Sequence, residues 1–293
     1  MNQFSQLRQQ LKDRLYQPGL IVAPGVNEMV SLRLADTFGF DALYMTGYGT
    51  VASSLGLPDA GLASFTQMVD RVGQMAQMAK TPLIADGDTG YGGLLNIRHT
   101  IRGYEQAGAA AIQLEDQEFP KKCGHTPSRR VIPIEDMVRK IQVARDSRLD
   151  ENFLIIARTD ARTSLGIDEA LRRGEAYAKA GADILFIESP ESVEEMRRIG
   201  SHFDLPVLAN MVDMGKTPVL PKSQLEALGY KIAIFPVTAL LASVKAMHAV
   251  YSTFAEKGSS DGIQQQLYDF SDLSKLMGFE DVWEFEKKYV EVQ

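Results

Sequence analysis

One cysteine, Cys123, stands among 293 residues, so the chain can form neither an internal disulfide nor a multi-thiolate zinc site. That scarcity fits a reducing compartment. Basic residues are also short: 31 Lys and Arg face 38 Asp and Glu, for a formal charge of -7. An acidic chain lacks the footprint of a nucleic-acid binder, and no such partner is expected. No stretch approaches the ~20 apolar residues of a membrane span. The opening Met1-Asn2-Gln3-Phe4-Ser5-Gln6-Leu7-Arg8 has no apolar signal core. A cytoplasmic location without a membrane partner is the expectation. Histidines number four, and no arginine follows Arg198. No internal repeat or low-complexity segment stands out.

What remains is an ordinary globular composition, 45% hydrophobic and 24% charged. Short apolar runs recur at 20–23, 42–45, 83–85, 109–114, 153–157, 184–187, 207–209 and 232–235. They are nearly continuous, as strands buried on both faces are. Between them lie amphipathic segments such as 134–144 and 168–180. The latter opens on Asp168 as an N-cap and stops before Gly181 as a C-cap. Alternating strands and helices imply parallel strands, because each crossover takes a helix. Eight such units predict an α/β fold, a closed (β/α)8 barrel of the TIM type rather than an open sheet.

The whole chain, 1–293, is expected to be one barrel domain with 263–293 as a C-terminal helical extension. A turn or hinge at 256–262 leads into that extension. One of its helices carries Leu273, Leu276 and Met277; the other carries Val282, Trp283, Phe285 and Tyr289. Eight units already complete the barrel, so these helices belong outside it or on a neighbouring subunit. An apolar tail after a hinge suits exchange between subunits.

Polar residues follow the apolar runs with unusual regularity. The second run leads into Thr46-Gly47-Tyr48-Gly49 and the third into Asp86-Gly87-Asp88-Thr89-Gly90-Tyr91-Gly92. The fourth ends in Glu115-Asp116-Gln117, the fifth in Arg158-Thr159-Asp160, the sixth in Glu188-Ser189-Pro190 and the seventh in Asn210. A barrel gathers these ends on the face where active sites of this fold are built. Asp86 and Asp88 lie two positions apart, so strand alternation lets both carboxylates face one point. Oxygen ligands without thiolates favour a hard cation, Mg2+ or Mn2+, which needs only one or two carboxylates plus waters. Asp59 and Glu115 could hold those waters. A solvated acidic turn is the plain alternative, since Asp and Gly populate turns.

The lone thiol sits in Lys121-Lys122-Cys123-Gly124-His125, between Pro120 and Pro127. A lone cysteine is ordinarily a small buried apolar residue, but neighbouring cations stabilise a thiolate and mark this one for chemistry. The basic loop 117–131 suits an anionic substrate and has the character of a closing lid. Arg129 and Arg130 within it read as a solvated charge run. Arg158, directly after an apolar strand, is different: at a barrel mouth its fork can grip a carboxylate at two points. His99, His202 and His248 fall in helices or their ends and are taken as structural or surface residues.

The stretches Asp86-Gly87-Asp88-Thr89-Gly90-Tyr91-Gly92, Leu114-Glu115-Asp116-Gln117 and Lys121-Lys122-Cys123-Gly124-His125 together resemble the isocitrate lyase/phosphoenolpyruvate mutase superfamily. The resemblance runs from about Pro24 to about Tyr251 and includes Ser53-Ser54-Leu55-Gly56-Leu57-Pro58-Asp59. Its thiol motif is similar to that of the carbon–carbon lyase branch. The resemblance implies an αβ barrel binding Mg2+ or Mn2+, a lid that carries the cysteine, and a homotetramer that swaps the eighth helix. It implies Asp86 and Asp88 as metal residues, with Asp59 and Glu115 holding water around the metal. Thr46, Gly47 and Tyr48 then contact a substrate carboxylate, and Tyr44 deprotonates its hydroxyl. Lys121, Cys123, Gly124 and His125 belong to the lid, and Arg158, Glu188 and Asn210 to the barrel mouth. The implied reaction is retro-aldol cleavage of a 2-hydroxy dicarboxylate, with Cys123 donating a proton to carbon.

Two departures bear on the substrate. The methylisocitrate branch uses a late arginine where this chain has Leu241; Lys245 is a nearby cation but lacks the bidentate fork. Tyr48 replaces a glycine of that branch and narrows the pocket. Both favour a two-carboxylate acid of the malate type, and a 2,3-dimethylmalate lyase-like reaction giving pyruvate and a carboxylate. Methylisocitrate lyase is the alternative, followed by oxaloacetate hydrolase and phosphoenolpyruvate mutase or phosphonopyruvate hydrolase-like chemistry. From another class come an aldolase using Lys121 as a Schiff-base nucleophile and a non-catalytic dicarboxylate binder.

Overall fold

The computed structural model describes residues 2–124 and 129–290. Two compact units divide the chain, Met1–Leu240 and Leu241–Gln293. Eight parallel strands close the first unit into a barrel in sequence order: β1 (Ile21–Val26), β2 (Leu43–Met45), β3 (Leu83–Asp86), β4 (Ala111–Glu115), β5 (Leu154–Thr159), β6 (Ile184–Ile187), β7 (Val207–Asn210) and β8 (Ile232–Phe235). β8 closes on β1 through Ile21↔Ile232 to Pro24↔Phe235. The expected (β/α)8 barrel is therefore the observed fold.

Alternation along the strands divides two cores. Tyr44, Ile84, Ile156, Phe186, Leu208 and Ile234 share one interior cluster with Leu11 and Leu15 of the helix Gln3–Leu15. Their neighbours Leu43, Met45, Leu83, Ala85, Ile155 and Leu185 pack instead with helical residues such as Val72, Ile101, Ile141 and Tyr177. Each fully buried Leu, Ile or Phe contributes roughly 1.5–3 kcal/mol, so neither face tolerates a one-residue slip in register.

Two local expectations need correction. The helix Ile167–Ala180 takes Gly166 as its N-cap, not Asp168, which lies in the first turn. Asp168 reaches across to Arg198 at 2.5 Å instead of back to its own backbone. Gly181 does end that helix, in the left-handed conformation. Several rim residues expected beyond the strands are inside them: Asp86, Glu115, Arg158, Thr159 and Asn210 lie within β3, β4, β5 and β7. Ladder bonds thus fix their backbones.

In the second unit, helices Phe270–Leu276 and Phe279–Tyr289 follow the turn after Lys257, as expected. Trp283, Phe285 and Tyr289 are exposed. Among the described residues, no helix is long and apolar enough to cross a membrane.

Candidate active site

Inward parity carries polar groups to the C-terminal rim: Tyr44 leads to Thr46, Ile84 to Asp86, Ile156 to Arg158 and Asp160, Phe186 to Glu188, and Leu208 to Asn210. The helix Gly47–Leu55 starts at this rim, with Thr46 as its N-cap accepting from Gly49 N–H. Free N–H groups of such a helix start suit a carboxylate. Gly47 is required there, because an added Cβ would lie 2.4 Å from Asp86 Oδ2.

Asp86 and Asp88 come together as expected. Asp88 adopts a left-handed φ of 48°, and its N–H donates to Asp86 Oδ1 at 3.0 Å. Lys121 is buried between Asp59 and Asp88, its Nζ at 2.5 and 2.6 Å from their Oδ1 atoms. The Asp88 contact is a buried ion pair that leaves its Oδ1 with the Lys121 ammonium as its charge partner. Burial draws Lys121 down, but Asp88, Glu115, Asp86 and Asp59 more than reverse this and hold its pKa well above the usual value. An ammonium held so firmly is a poor Schiff-base nucleophile.

Arg158 forks onto Asp160, with Nε at 2.9 Å from Oδ2 and Nη2 at 3.0 Å from Oδ1. Glu115 and Glu188 lie 3.4 and 3.6 Å from the same guanidinium, which sits over the Phe186 ring at 5.0 Å. Asn210 Nδ2 donates to Glu188 Oε2 at 3.1 Å, while its buried Oδ1 makes no hydrogen bond in the described structure. Gly124 packs directly on this group, since an added Cβ would fall 2.4 Å from Arg158 Nη2. Ser189 Oγ lies 3.0 Å from the Gly124 carbonyl and 2.9 Å from Glu188 Oε1. Half-buried Cys123 donates its N–H to the Asp59 carbonyl at 3.1 Å. The segment bearing the thiol is therefore docked over the barrel mouth. Tyr48 is 43% exposed, and His125 lies outside the described residues.

The sequence resemblance assigns no role to Gln113, Asp116, Ser189, Asp160 or Arg129, although Asp116, Asp160 and Ser189 close apolar runs at the rim. Fully buried Gln113 accepts from Tyr44 Oη at 2.7 Å and donates to Asp86 Oδ1 at 3.2 Å. A polar residue at an inward position of an apolar strand was the available signal. Arg129 corrects the solvated-run reading: it is buried and bonded to Asp160 and Thr163. Arg130 fits that reading, exposed and paired with Glu118 at 2.7 Å.

Among the described residues, six rim carboxylates (Asp59, Asp86, Asp88, Glu115, Asp160, Glu188) face three cations (Lys121, Arg129, Arg158). Burial pushes Glu115 well above its ordinary range, against the pull of Arg158. Glu115 Oε1 is buried without a hydrogen-bond partner. No three carboxylate, imidazole or thiol side chains among the described residues form a ready metal cage. An oxygen-only pair with surplus negative charge fits a cation that keeps most of its waters, as Mg2+ does.

Burial pushes Asp88 up to about 6; Lys121 opposes the rise and Asp86 and Asp59 add to it. Its native carboxyl thus holds a proton more tightly than the unfolded chain, whose value is near 3.8. The resulting stability is complete below 3.8 and is lost as pH rises through about 6. In chelator-treated protein, Asp88→Asn should gain on wild type by about 3 kcal/mol between about pH 4 and about pH 7. Urea melts at the two pH values test this, and an unchanged difference between the proteins would contradict it.

A closed parallel barrel with paired aspartates, a buried arginine and a docked thiol segment at its C-terminal rim defines a class. The chain belongs to the phosphoenolpyruvate phosphomutase family, whose model matches residues 11–255, and it is an enzyme of the lyase branch of the isocitrate lyase/phosphoenolpyruvate mutase superfamily. It is 46% identical to the 2,3-dimethylmalate lyase of Eubacterium barkeri, covering 99% of each chain. It is 42% identical to the 2-methylisocitrate lyase of Aeropyrum pernix, covering 96% of this chain and 90% of the relative. A solved phosphonopyruvate hydrolase in complex with oxalate and Mg2+ superposes with a TM-score of 0.86 at 29% identity, over 99% of this chain and 100% of the other. The resemblance carried by the three motifs is borne out.

Proposed function

We propose that this enzyme cleaves the C2–C3 bond of 2,3-dimethylmalate by a retro-aldol reaction, releasing pyruvate and propionate. The observation that carries the reading is the docking of the 121–124 segment onto both ends of one site: Lys121 on Asp59 and Asp88, Gly124 on Arg158 and Glu188. Asp86 and Asp88 would hold Mg2+ or Mn2+, with Asp59 and Glu115 bonding its waters. Bound there, the cation would lower the pKa of a chelated 2-hydroxyl and offset the Asp86 charge beside Tyr44.

The protein's own groups supply the rest. The first substrate carboxylate meets the helix start at Thr46, Gly47 and Tyr48 through the N–H groups of Gly47 and Tyr48, since the Thr46 N–H donates to the Val26 carbonyl at 3.2 Å. Tyr44 points its phenol proton at Gln113, so its lone pairs face the hydroxyl. Burial and the Asp86 charge push Tyr44 well above 10, against Arg158 and Lys121, so its own proton must pass to solvent water before the phenolate takes the hydroxyl proton, a loss that a cation offsetting Asp86 would ease. As C2–C3 breaks, its electron pair passes to C3 and delocalises into the second carboxylate. Arg158 and Lys121 stabilise that enediolate, with Glu188 and Asn210 setting the arginine's surroundings. Cys123 delivers a proton to C3 as general acid, and His125 belongs to the same lid.

Leu241 and the lack of any arginine after Arg198 support the two-carboxylate substrate. The methylisocitrate reading keeps a place through the 42% identical relative. Metal-supplemented assays of 2,3-dimethylmalate, methylisocitrate, oxaloacetate and phosphonopyruvate, following pyruvate or oxalate, separate the readings. We expect the first acid to give the highest kcat/KM; a clear preference for methylisocitrate would overturn the arginine argument. The enzyme is taken as cytoplasmic, where the thiol stays reduced. It is also taken as a single barrel domain with a helical extension, assembled as a homotetramer through a swapped helix. Light scattering should give about four times the chain mass. A monomer mass would exclude the swap.

A further inference from the structure

We propose that Asp160 is a positioning residue that couples seating of Arg129 to the orientation of Arg158. The inference rests on the proposed lyase reading, in which Arg158 stabilises the substrate's carboxylate end. Asp160 is fully buried and its carboxylate serves two guanidiniums at once. Arg158 engages both oxygens through Nε and Nη2, at 2.9 and 3.0 Å. Arg129, on the loop that follows the thiol segment, bonds Oδ1.

The carboxylate is itself held in place. Asp160 N–H donates to Asp116 Oδ1 at 2.9 Å. Asp116 Oδ2 accepts from Thr159, Arg173 and Tyr177 at 2.7, 2.9 and 2.7 Å. This buried frame fixes the Asp160 backbone, and the carboxylate it presents is clamped between Arg158 and Arg129, so the position of Asp160 dictates that of Arg158. Two other acids compete for the same guanidinium, Glu115 at 3.4 Å and Glu188 at 3.6 Å. Without a fully charged Asp160, Arg158 turns toward them and withdraws its remaining N–H groups from the ligand. Arg129 reinforces the choice by adding a second cation to Asp160 and by tying that end of the loop to Thr163 at 2.5 Å. Arg129 therefore acts on ligand binding through Asp160, without being a catalytic residue.

A double-mutant cycle in the Mn2+-loaded enzyme tests this, read by the Kd of oxalate and by kcat and KM on the preferred acid. Asp160→Asn should weaken oxalate about tenfold, and Arg129→Met about threefold, because coupled neighbours share roughly that much interaction. In the Asp160→Asn background, Arg129→Met should add nothing. Arg129→Lys, which keeps the charge, should recover part of the loss. Equal factors for Arg129→Met in both backgrounds would refute the coupling. Lowered thermal midpoints with unchanged oxalate Kd would make Asp160 merely structural. Should Asp160→Asn fail to fold, Arg129→Met alone decides: an oxalate Kd equal to wild type overturns the proposal. A wild-type protein that binds oxalate but turns over no dicarboxylate would sink the lyase reading and leave the binding arm of the test standing.

Discussion

Cys123→Ser should lose about 10²–10⁴-fold in kcat, the range a positioned general acid contributes, while Mn2+ affinity changes little. The substitution exchanges one atom. It leaves intact the bond from the residue 123 backbone N–H to the Asp59 carbonyl and the Lys121 pairs with Asp59 and Asp88. Docking of the segment should therefore persist, and with it the aspartate pair. What disappears is an acid able to protonate carbon, because a serine hydroxyl holds its proton too firmly. Steady-state kinetics and Mn2+ titration give the two readouts. In heavy water, wild type should place one deuterium on the carbon that was C3, and the variant's residual turnover should do so slowly. Activity close to wild type would remove Cys123 from the mechanism and leave another group to donate the proton.

The barrel could be read before any coordinates because parallel strands buried on both faces are written as continuous apolar runs. Those runs matched β1–β8 to within two or three residues at most ends. Rim residues such as Asp86, Glu115, Arg158 and Asn210 were visible for the same reason: a charge ending an apolar run is costly unless the fold uses it. Gln113 escaped because it sits within such a run, between Ile112 and Leu114, where periodicity is counted in apolar residues. Arg129 escaped for a different reason. Its adjacent charges suggested solvent, whereas its partners lie just beyond β5, Asp160 as the N-cap of the helix Ala161–Leu165 and Thr163 within it. Pairings of that separation are properties of closure, which no local window contains. Gly166 displaced Asp168 as N-cap in the same way, since Arg198 on the next helix competes for the aspartate.

Arg158→Met should be the most damaging substitution in the barrel, and Arg158→Lys should show why. Burial draws the Arg158 pKa down, but Asp160, Glu115 and Glu188 reverse this and hold the guanidinium charged. Removing one partner from a buried ion pair costs about 3–5 kcal/mol, a large part of the ~5–15 kcal/mol that stabilises a typical domain. Methionine fills much of the volume over Phe186 but leaves three buried carboxylates without this cation. Glu115, already pushed up by burial, would lose the pull of Arg158 and bind its proton more tightly still in the native state, so the variant's stability should rise as pH falls below neutral. Lysine keeps the charge but has no fork, so it can meet one oxygen of Asp160 or one of the glutamates, not both sides. We expect Arg158→Lys to fold with a loss of about 1–2 kcal/mol and yet to lose about 10²-fold or more in kcat/KM, because two-point carboxylate recognition is what the ammonium cannot supply. Urea melts set against turnover separate the two effects. If Arg158→Lys kept turnover within about threefold of wild type, the site would need only a positive charge there, and the geometric role assigned to the fork and to its Asp160 anchor would fail together.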